Sequence, residues 1–432
     1  MGSSDQQGTQ PEREHVAGQL VAGQPMPDEL VPDELVPEPP VPGRRRGARV
    51  RKIVVWTAGI MAGVLAVAAA GAFLLWRHLN GNIHQSDISG LLGSQPVDLH
   101  PRAENIVVIG SDTRLGQGTQ YGTGLTTDQS DTLMVVHVAA NRQWAEVMSI
   151  PRDSWVDIPA CAMGNGQTSS PTTFKINEAF ALGSLTGNNS ALGAACTIKT
   201  VEQNTGIHID HFVVVNFAGF KSMVSALGGV EECNSQAIND PQAHLQLSAG
   251  HHLLTPDQAL GYVRARYAEG DGSDLERISR QQAFMSSLVS RVKSELLNPL
   301  AIYRFLDAAT SSLTIDSQLG GISGLYNLAA SVRSLPPSKV TFFTVPSYPR
   351  SQVDPTDTAN VLWTQPVASQ IFRSFQDDVP VSQALAASPG ASQPAASGSA
   401  SAGQSASPPD TSPSPQPSPV VSARTANQNI CT

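Results

Sequence analysis

The chain has 432 residues, 36 acidic side chains against 27 basic ones, and a formal net charge of −9. That balance excludes nucleic acid as the main partner. The length would allow two or three domains. Both ends, however, are built from residues that bury no core, which leaves one large domain over 101–380.

Residues 1–52 read as a disordered tail. In it, Pro27–Val31 is repeated imperfectly as Pro32–Val36, and proline every fifth residue forbids a continuous helix. The tail ends in Arg44, Arg45, Arg46, Arg49, Arg51 and Lys52. Ile53–Trp76 follows, 24 residues without a charge. At 1.5 Å per residue, a helix of that length crosses a bilayer core of ~30 Å. The basic cluster before it predicts a single-pass protein with a cytoplasmic N-terminus and everything after residue 77 outside. The late start and length of the run argue against a cleaved signal peptide. Gly59 and Gly63 form a GxxxG pair, so a homodimer through the span is a possible arrangement. Residues 77–100 read as a membrane-proximal linker.

All four cysteines lie beyond the span: Cys161, Cys196, Cys233 and Cys431. On the oxidising side an even number suggests two disulfides. Three pairings are open, and Cys161–Cys196 with Cys233–Cys431 is favoured. No CxxC or Cys/His spacing points to a zinc site.

Strands are expected at Asn105–Ile109, Thr132–Val138, Trp144–Ile150, Phe212–Val215 and Val340–Val345, where apolar and β-branched residues cluster. Helical spacing marks Thr197–Thr205, Phe217–Leu227, Arg280–Leu297, Ile322–Leu335 and Val367–Phe375. Thr255, Pro256 and Gln258 make a capping box that starts another helix. The fold class is therefore α/β, a mixed central sheet with helices packed on both faces, preceded by one transmembrane helix. His251 and His252 read as a solvated turn. Phe212, Phe217, Phe220, Met223 and Leu227 suit either a lipid tunnel or ordinary core packing. Residues 381–432 read as an Ala/Ser/Pro-rich disordered tail.

If the first three strands form a meander, Asp112, Asp131 and Arg152 share one rim of the sheet. A lone aspartate at a strand end needs no explanation beyond turn chemistry. Two carboxylates beside an arginine suit Mg²⁺, a hard cation that shares its oxygen ligands with substrate phosphates. Arg264 and Arg266 follow the capped helix two residues apart, so an extended chain would point them the same way. Arg277 and Gln281, four apart, share a helix face. Together these groups could grip a pyrophosphate, since guanidinium binds phosphate oxygens in pairs. Surface ion pairing with Glu269, Asp271, Asp274 and Glu276 is the alternative.

The segments NIVVIGSDTR (105–114), SDTLM (130–134), SIPRD (149–153), KINEAF (175–180), DHFV (210–213), LGGV (227–230), ALGYVRAR (259–266) and DLERISRQQ (274–282) fall in one order along the chain. In that order they resemble the LytR-CpsA-Psr family of cell-envelope glycopolymer phosphotransferases. The resemblance implies transfer of an anionic glycopolymer from a polyprenyl-pyrophosphate carrier to peptidoglycan, with the lipid tail in an apolar tunnel. It implies Asp112 and Asp131 at or near Mg²⁺, with Arg152 as a third catalytic residue. It also implies Arg152, Lys175, Arg264, Arg266, Arg277 and Gln281 around the pyrophosphate. A pyrophosphatase, or a non-catalytic lipid- or polymer-binding envelope regulator, would use the same residue set.

Overall fold

The computed structural model describes residues 45–111, 129–184, 189–266, 274–295, 298–387 and 423–426. Asp112, the glycine-rich stretch after it, and Cys431 lie outside these residues. The chain divides into two units, one to Val67 and one from Ala68.

From the amino end come α1 (Arg45–Asn82), β1 (His84–Ser86) and α2 (Ser89–Leu92). Three longer strands follow, β2 (Glu104–Ser111), β3 (Ser130–Val138) and β4 (Ala145–Ser149), then a hairpin of β5 (Trp155–Ile158) and β6 (Thr172–Lys175). Next are α3 (Glu178–Ser184), α4 (Ser190–Thr205), β7 (His211–Asn216) and α5 (Phe217–Ala226). Short strands β8 (Val230–Asn234), β9 (Ile238–Asp240), β10 (Leu245–Leu247) and β11 (Gly250–Leu254) precede α6 (Pro256–Arg264) and α7 (Asp274–Glu295). Then come α8 (Pro299–Thr310), β12 (Leu313–Asp316), α9 (Gly321–Val332), β13 (Val340–Thr344), β14 (Ser347–Pro349) and β15 (Val361–Trp363). Helices α10 (Val367–Gln376) and α11 (Val381–Ala386) follow, and β16 (Ala423–Thr425) is last.

Among the described residues α1 is the one helix long and apolar enough to cross a membrane, and its apolar side chains from Val50 to Trp76 are exposed. Its last turns do not lead into a free linker. Leu79 and Ile83 are buried. Asn82 donates to Asp307 at 2.9 Å, and His78 sits at the same distance from that carboxylate. Residues 77–100 also supply β1, which pairs in parallel with β12. The linker reading is corrected by this: the apolar side chains of the segment have partners to bury against.

Eight strands form the main sheet in the order β1-β12-β7-β2-β3-β4-β13-β16. The predicted β2-β3-β4 meander is antiparallel throughout, whereas β7 joins β2, and β13 joins β4, in parallel. Alternation along the strands serves two faces. Val107, Ile109, Leu133 and Val135 enter one core with Phe180, Ile198, Phe212 and Phe375 from the helices and β7. Val108, Met134, Val136 and Phe342 face the other side, where Met285 of α7 packs. Full burial of each such side chain contributes roughly 1.5–3 kcal/mol. Helices α3 and α4 meet so closely that a Cβ on Gly183 would lie 2.2 Å from the carbonyl oxygen of Leu192. Glycine is required there.

Cys161 and Cys196 are joined, with Cα atoms 5.3 Å apart, tying the loop after β5 to α4. The other favoured pairing includes Cys431 and so falls outside the described residues. Two further readings change. His251 and His252 lie in β11, paired with Cys233 and Glu232 of β8, because alternation there buries Leu254 and leaves His251 outward. Residues 381–432 are not wholly irregular. Val381 is buried and opens α11, its N–H donating to Glu146 at 3.1 Å. β16 adds to the edge of β13.

Glu146 is itself buried, and burial pushes its carboxyl from the ordinary 4.5 up to about 7. A raised carboxyl favours the folded state while protonated. Its contribution is full below about pH 4.5 and is lost as pH rises through about 7. Glu146→Gln keeps an acceptor for Val381 and removes the titration. Its melting temperature should fall less than the wild type's between those pH values; Glu232, also raised to about 7, preserves part of the slope. Replacing Cys161 and Cys196 together by alanine should cost about 2–4 kcal/mol in denaturant melts.

Candidate active site

The pocket lies at one end of the main sheet, where β3 begins and β4 ends. The chain leaves β4 through Ile150 and Pro151 into Arg152, whose carbonyl accepts from Asn177 N–H at 3.2 Å. Arg152 thus sits on a turn braced from the α3 side. Its guanidinium pairs with Asp131, the second residue of β3. Its Nε lies 3.6 Å from Asp153. The meander therefore brings Asp131 and Arg152 to one rim, as its pattern predicted.

The opposite wall comes from α6 and α7. The capping box of α6 is formed in both directions: Gln258 N–H donates to the Thr255 hydroxyl at 3.4 Å, and Thr255 N–H to the Gln258 side chain at 3.0 Å. Arg264 is the last residue of that helix rather than part of an extended segment. Ala265, at φ −57° and ψ 135°, ends it and turns the chain. The turn still leaves Arg264 and Arg266 on the same pocket. On α7, Arg277 and Gln281 are one turn apart and both buried. Gln281 donates to the Val263 carbonyl at 3.1 Å, and Arg280 donates to that of Ala265. So α7 holds the end of α6 in place by side-chain donors to its last carbonyls, which the helix itself cannot satisfy.

Asp131, Arg152, Arg264, Arg266, Arg277 and Gln281 all line one cavity of ≈ 190 Å³. Phe217 and Val263 give it an apolar wall, and Arg264 stacks over the Phe217 ring at 5.0 Å. Cation–π contact of this kind fixes a guanidinium without consuming its donors. Phe217 is placed by Asn216, which ends β7 and caps α5 by accepting from Gly219 at 2.8 Å. Of the other aromatic candidates, Phe212 belongs to the main core, while Phe220 packs against Phe284 at 5.2 Å in a second core.

Lys175 is not brought here. Hairpin register sets it opposite Trp155 at the end of β6, and it does not line the cavity. Asp112 falls outside the described residues, so the carboxylate pair is described only at Asp131.

Two acids that the sequence reading missed organise the cations. Asp240, only 1% exposed, accepts from Arg266 N–H at 2.7 Å and from Gln242 and Ala243 N–H at 2.9 and 3.0 Å. Asp153 lies between Arg152 and Arg266, 3.5 Å from the latter. The signal for Asp240 was the Asp-Pro step at 240–241, which reads only as a turn. Nothing local marks it as the seat of an arginine 26 residues later. Chemically, the arrangement is a partly desolvated cluster of fixed cations held among the carboxylates of Asp131, Asp153 and Asp240. Such a cluster binds a polyanion.

Comparison with known proteins bears on the family and the fold. The LytR_cpsA_psr family profile matches residues 82–376. The probable cell wall biosynthesis protein LcpB of Corynebacterium glutamicum is 30% identical over 343 residues, covering 76% of this chain and 75% of that protein. The polyisoprenyl-teichoic acid–peptidoglycan teichoic acid transferase TagT of Bacillus subtilis is 29% identical over 312 residues, 69% of this chain and 88% of its own. Among solved structures, protein gbs0355 from Streptococcus agalactiae matches with a TM-score of 0.50 and 20% identity, over 66% of this chain and 91% of its own. That last likeness concerns the fold alone.

Asp240→Ala would strip the acceptors from three backbone N–H groups. Denaturant melts should show a loss of about 1–3 kcal/mol, with Asp240→Asn, which keeps one acceptor, losing less.

Proposed function

The chain belongs to the LytR-CpsA-Psr family, and from that premise we propose that it transfers a phosphate-linked glycopolymer from a polyprenyl-pyrophosphate carrier onto peptidoglycan. The observation that carries this reading is the convergence of Arg152, Arg264, Arg266 and Arg277 on one cavity with an apolar wall. A pyrophosphate bearing a glycan on one side and a lipid on the other presents that pairing of charge and apolar surface.

Phosphoryl transfer depends on positioning and charge neutralisation more than on covalent catalysis. In the proposed reaction an acceptor hydroxyl attacks the phosphorus that bears the glycan. The bond from that phosphorus to the bridging oxygen breaks, and polyprenyl monophosphate leaves with the electron pair. The new bond joins acceptor and glycan through a phosphodiester. The hydroxyl proton passes to a carboxylate, Asp112 or Asp131. Arg264, Arg266 and Arg277 hold the pyrophosphate oxygens, Gln281 fixes the end of α6, and Arg152 orients Asp131 while facing the same cavity. Phe217 and Val263 accept the first part of the lipid.

Mg²⁺ suits the donors here, since Asp131 offers hard carboxylate oxygen and, among the described residues, neither sulfur nor imidazole lines the cavity. Asp131 together with Asp112 would hold it. When bound, it would neutralise charge on the two phosphates. The span in α1 would anchor the enzyme, with the basic cluster of residues 44–52 in the cytoplasm and the domain outside. That topology would put the pocket in the compartment where a lipid-linked donor is displayed.

The test uses the full-length protein in detergent with a polyprenyl-pyrophosphate glycan, Mg²⁺ and peptidoglycan fragments. Glycan should appear on the fragments with one polyprenyl phosphate released per transfer, and chelation should stop it. Arg152→Ala and Arg266→Ala should each lower the rate by about 10²-fold or more with little change in melting temperature. Polyprenyl phosphate released at equal rates without acceptor would instead identify a pyrophosphatase. Full transfer by both variants would remove the pocket from the reaction.

A further inference from the structure

A second constellation of ligating side chains sits at the other end of the sheet. Strand β7 pairs with β2 so that His211 lies beside Ile106 and Asn216 beside Ser111. The pocket is at the Asn216 end. Six residues of strand separate the two ends, roughly 20 Å. Just before β7, His208 and Asp210 meet Asp98 from the segment between α2 and β2. One ligand atom from each lies within 4.8 Å of the others.

The hydrogen bonds around this trio set the direction of every donor atom. His208 Nδ1 is 3.0 Å from the Pro96 carbonyl oxygen, which can only accept, so the proton is on Nδ1. In the neutral ring Nε2 then carries the lone pair. That nitrogen faces Asp210 Oδ1 at 3.6 Å, too far for a charge-assisted hydrogen bond, which would be about 2.7–2.9 Å. In that neutral form two acceptors face each other across a gap that a cation would fit. Both carboxylates are anchored from behind. Asp98 Oδ1 accepts from His100 N–H at 2.9 Å, and Asp210 Oδ2 from Asn105 N–H at 2.7 Å. Each keeps a second oxygen for a ligand. Such outer contacts are what orient metal-binding side chains. Glu202 braces the cluster, its Oε1 accepting from Gln95 at 2.8 Å and from Ile209 N–H at 3.0 Å.

We propose that Asp98, His208 and Asp210 form a divalent-cation site that takes a borderline ion such as Zn²⁺ in preference to Mg²⁺, and that clamps residues 95–98 to the start of β7. One imidazole with two carboxylates favours zinc-like ions, whereas Mg²⁺ prefers all-oxygen shells. Ligands about 2 Å from a shared ion lie up to about 4 Å apart. The trio, within 4.8 Å, would reach that spacing by side-chain rotation. The site is independent of the phosphate pocket and stands or falls without it.

Full-length protein in detergent, stripped with chelator, is titrated with Zn²⁺ by calorimetry and followed by thermal melting. Saturable binding with a raised melting temperature is expected, and no such rise with Mg²⁺ at the same concentration. His208→Asn keeps a donor for the Pro96 carbonyl but removes Nε2, and Asp98→Asn keeps an acceptor for His100. Each should weaken Zn²⁺ binding by at least about tenfold. Absence of binding by the wild type would overturn the proposal. So would equal binding by wild type and both variants, which would point to exposed histidines such as His251.

Discussion

Four guanidinium groups share one pocket, and like charges in a partly desolvated space repel. Two unit charges about 6 Å apart cost about 3 kcal/mol at an effective dielectric of 20. Such a cluster persists only if carboxylates and backbone dipoles are set among the cations. Asp131 pairs with Arg152, and Asp153 lies between Arg152 and Arg266. Asp240 holds the backbone N–H of Arg266 and so positions that arginine through its main chain.

The rest of the domain can be understood as the means of holding these groups together. The meander delivers Asp131 and Arg152 from adjacent strands, where register leaves little freedom. The capped α6 delivers Arg264, and α7 both contributes Arg277 and secures the last carbonyls of α6. Gln282 reaches from α7 to the hydroxyls of Ser149 and Thr344 at 3.0 and 3.3 Å, so the helix is keyed to β4 and β13. Arginine positions from the two halves of the chain thus rest on one rigid sheet. A site carried by strands and helices is held more tightly than one carried by loops.

Strand β7 links two chemically different ends of the molecule. At one end Asn216 and Phe217 shape the phosphate pocket. At the other, Asp210 receives the start of β2, and the segment from Gln95 to Asp98 folds against it. The C-terminal turns of α1 dock separately, through Asn82 and His78 on Asp307 and through Trp76 on Ser323. The segment after the apolar helix is therefore fastened to the domain at several points.

Local patterns determined much. β-branched runs marked the strands, capping chemistry marked α6, and the 24 uncharged residues marked an apolar helix. Asp131 with Arg152, and Arg277 with Gln281, were found because each pair depends on a short-range period of the strand or helix. What failed depended on distance. Lys175 belongs to a matching motif, yet hairpin register sends it to Trp155. His251 and His252 looked like a turn until a partner strand was present. Asp240 and the trio of Asp98, His208 and Asp210 have no short-range signature at all. Their neighbours are chosen by how strands and connecting segments pack. The sequence by itself marked the longer strands and helices and the charges they carry. Only the tertiary structure decided which charges meet, because contacts between residues far apart in the chain are set by the packing of the whole sheet and not by any local period.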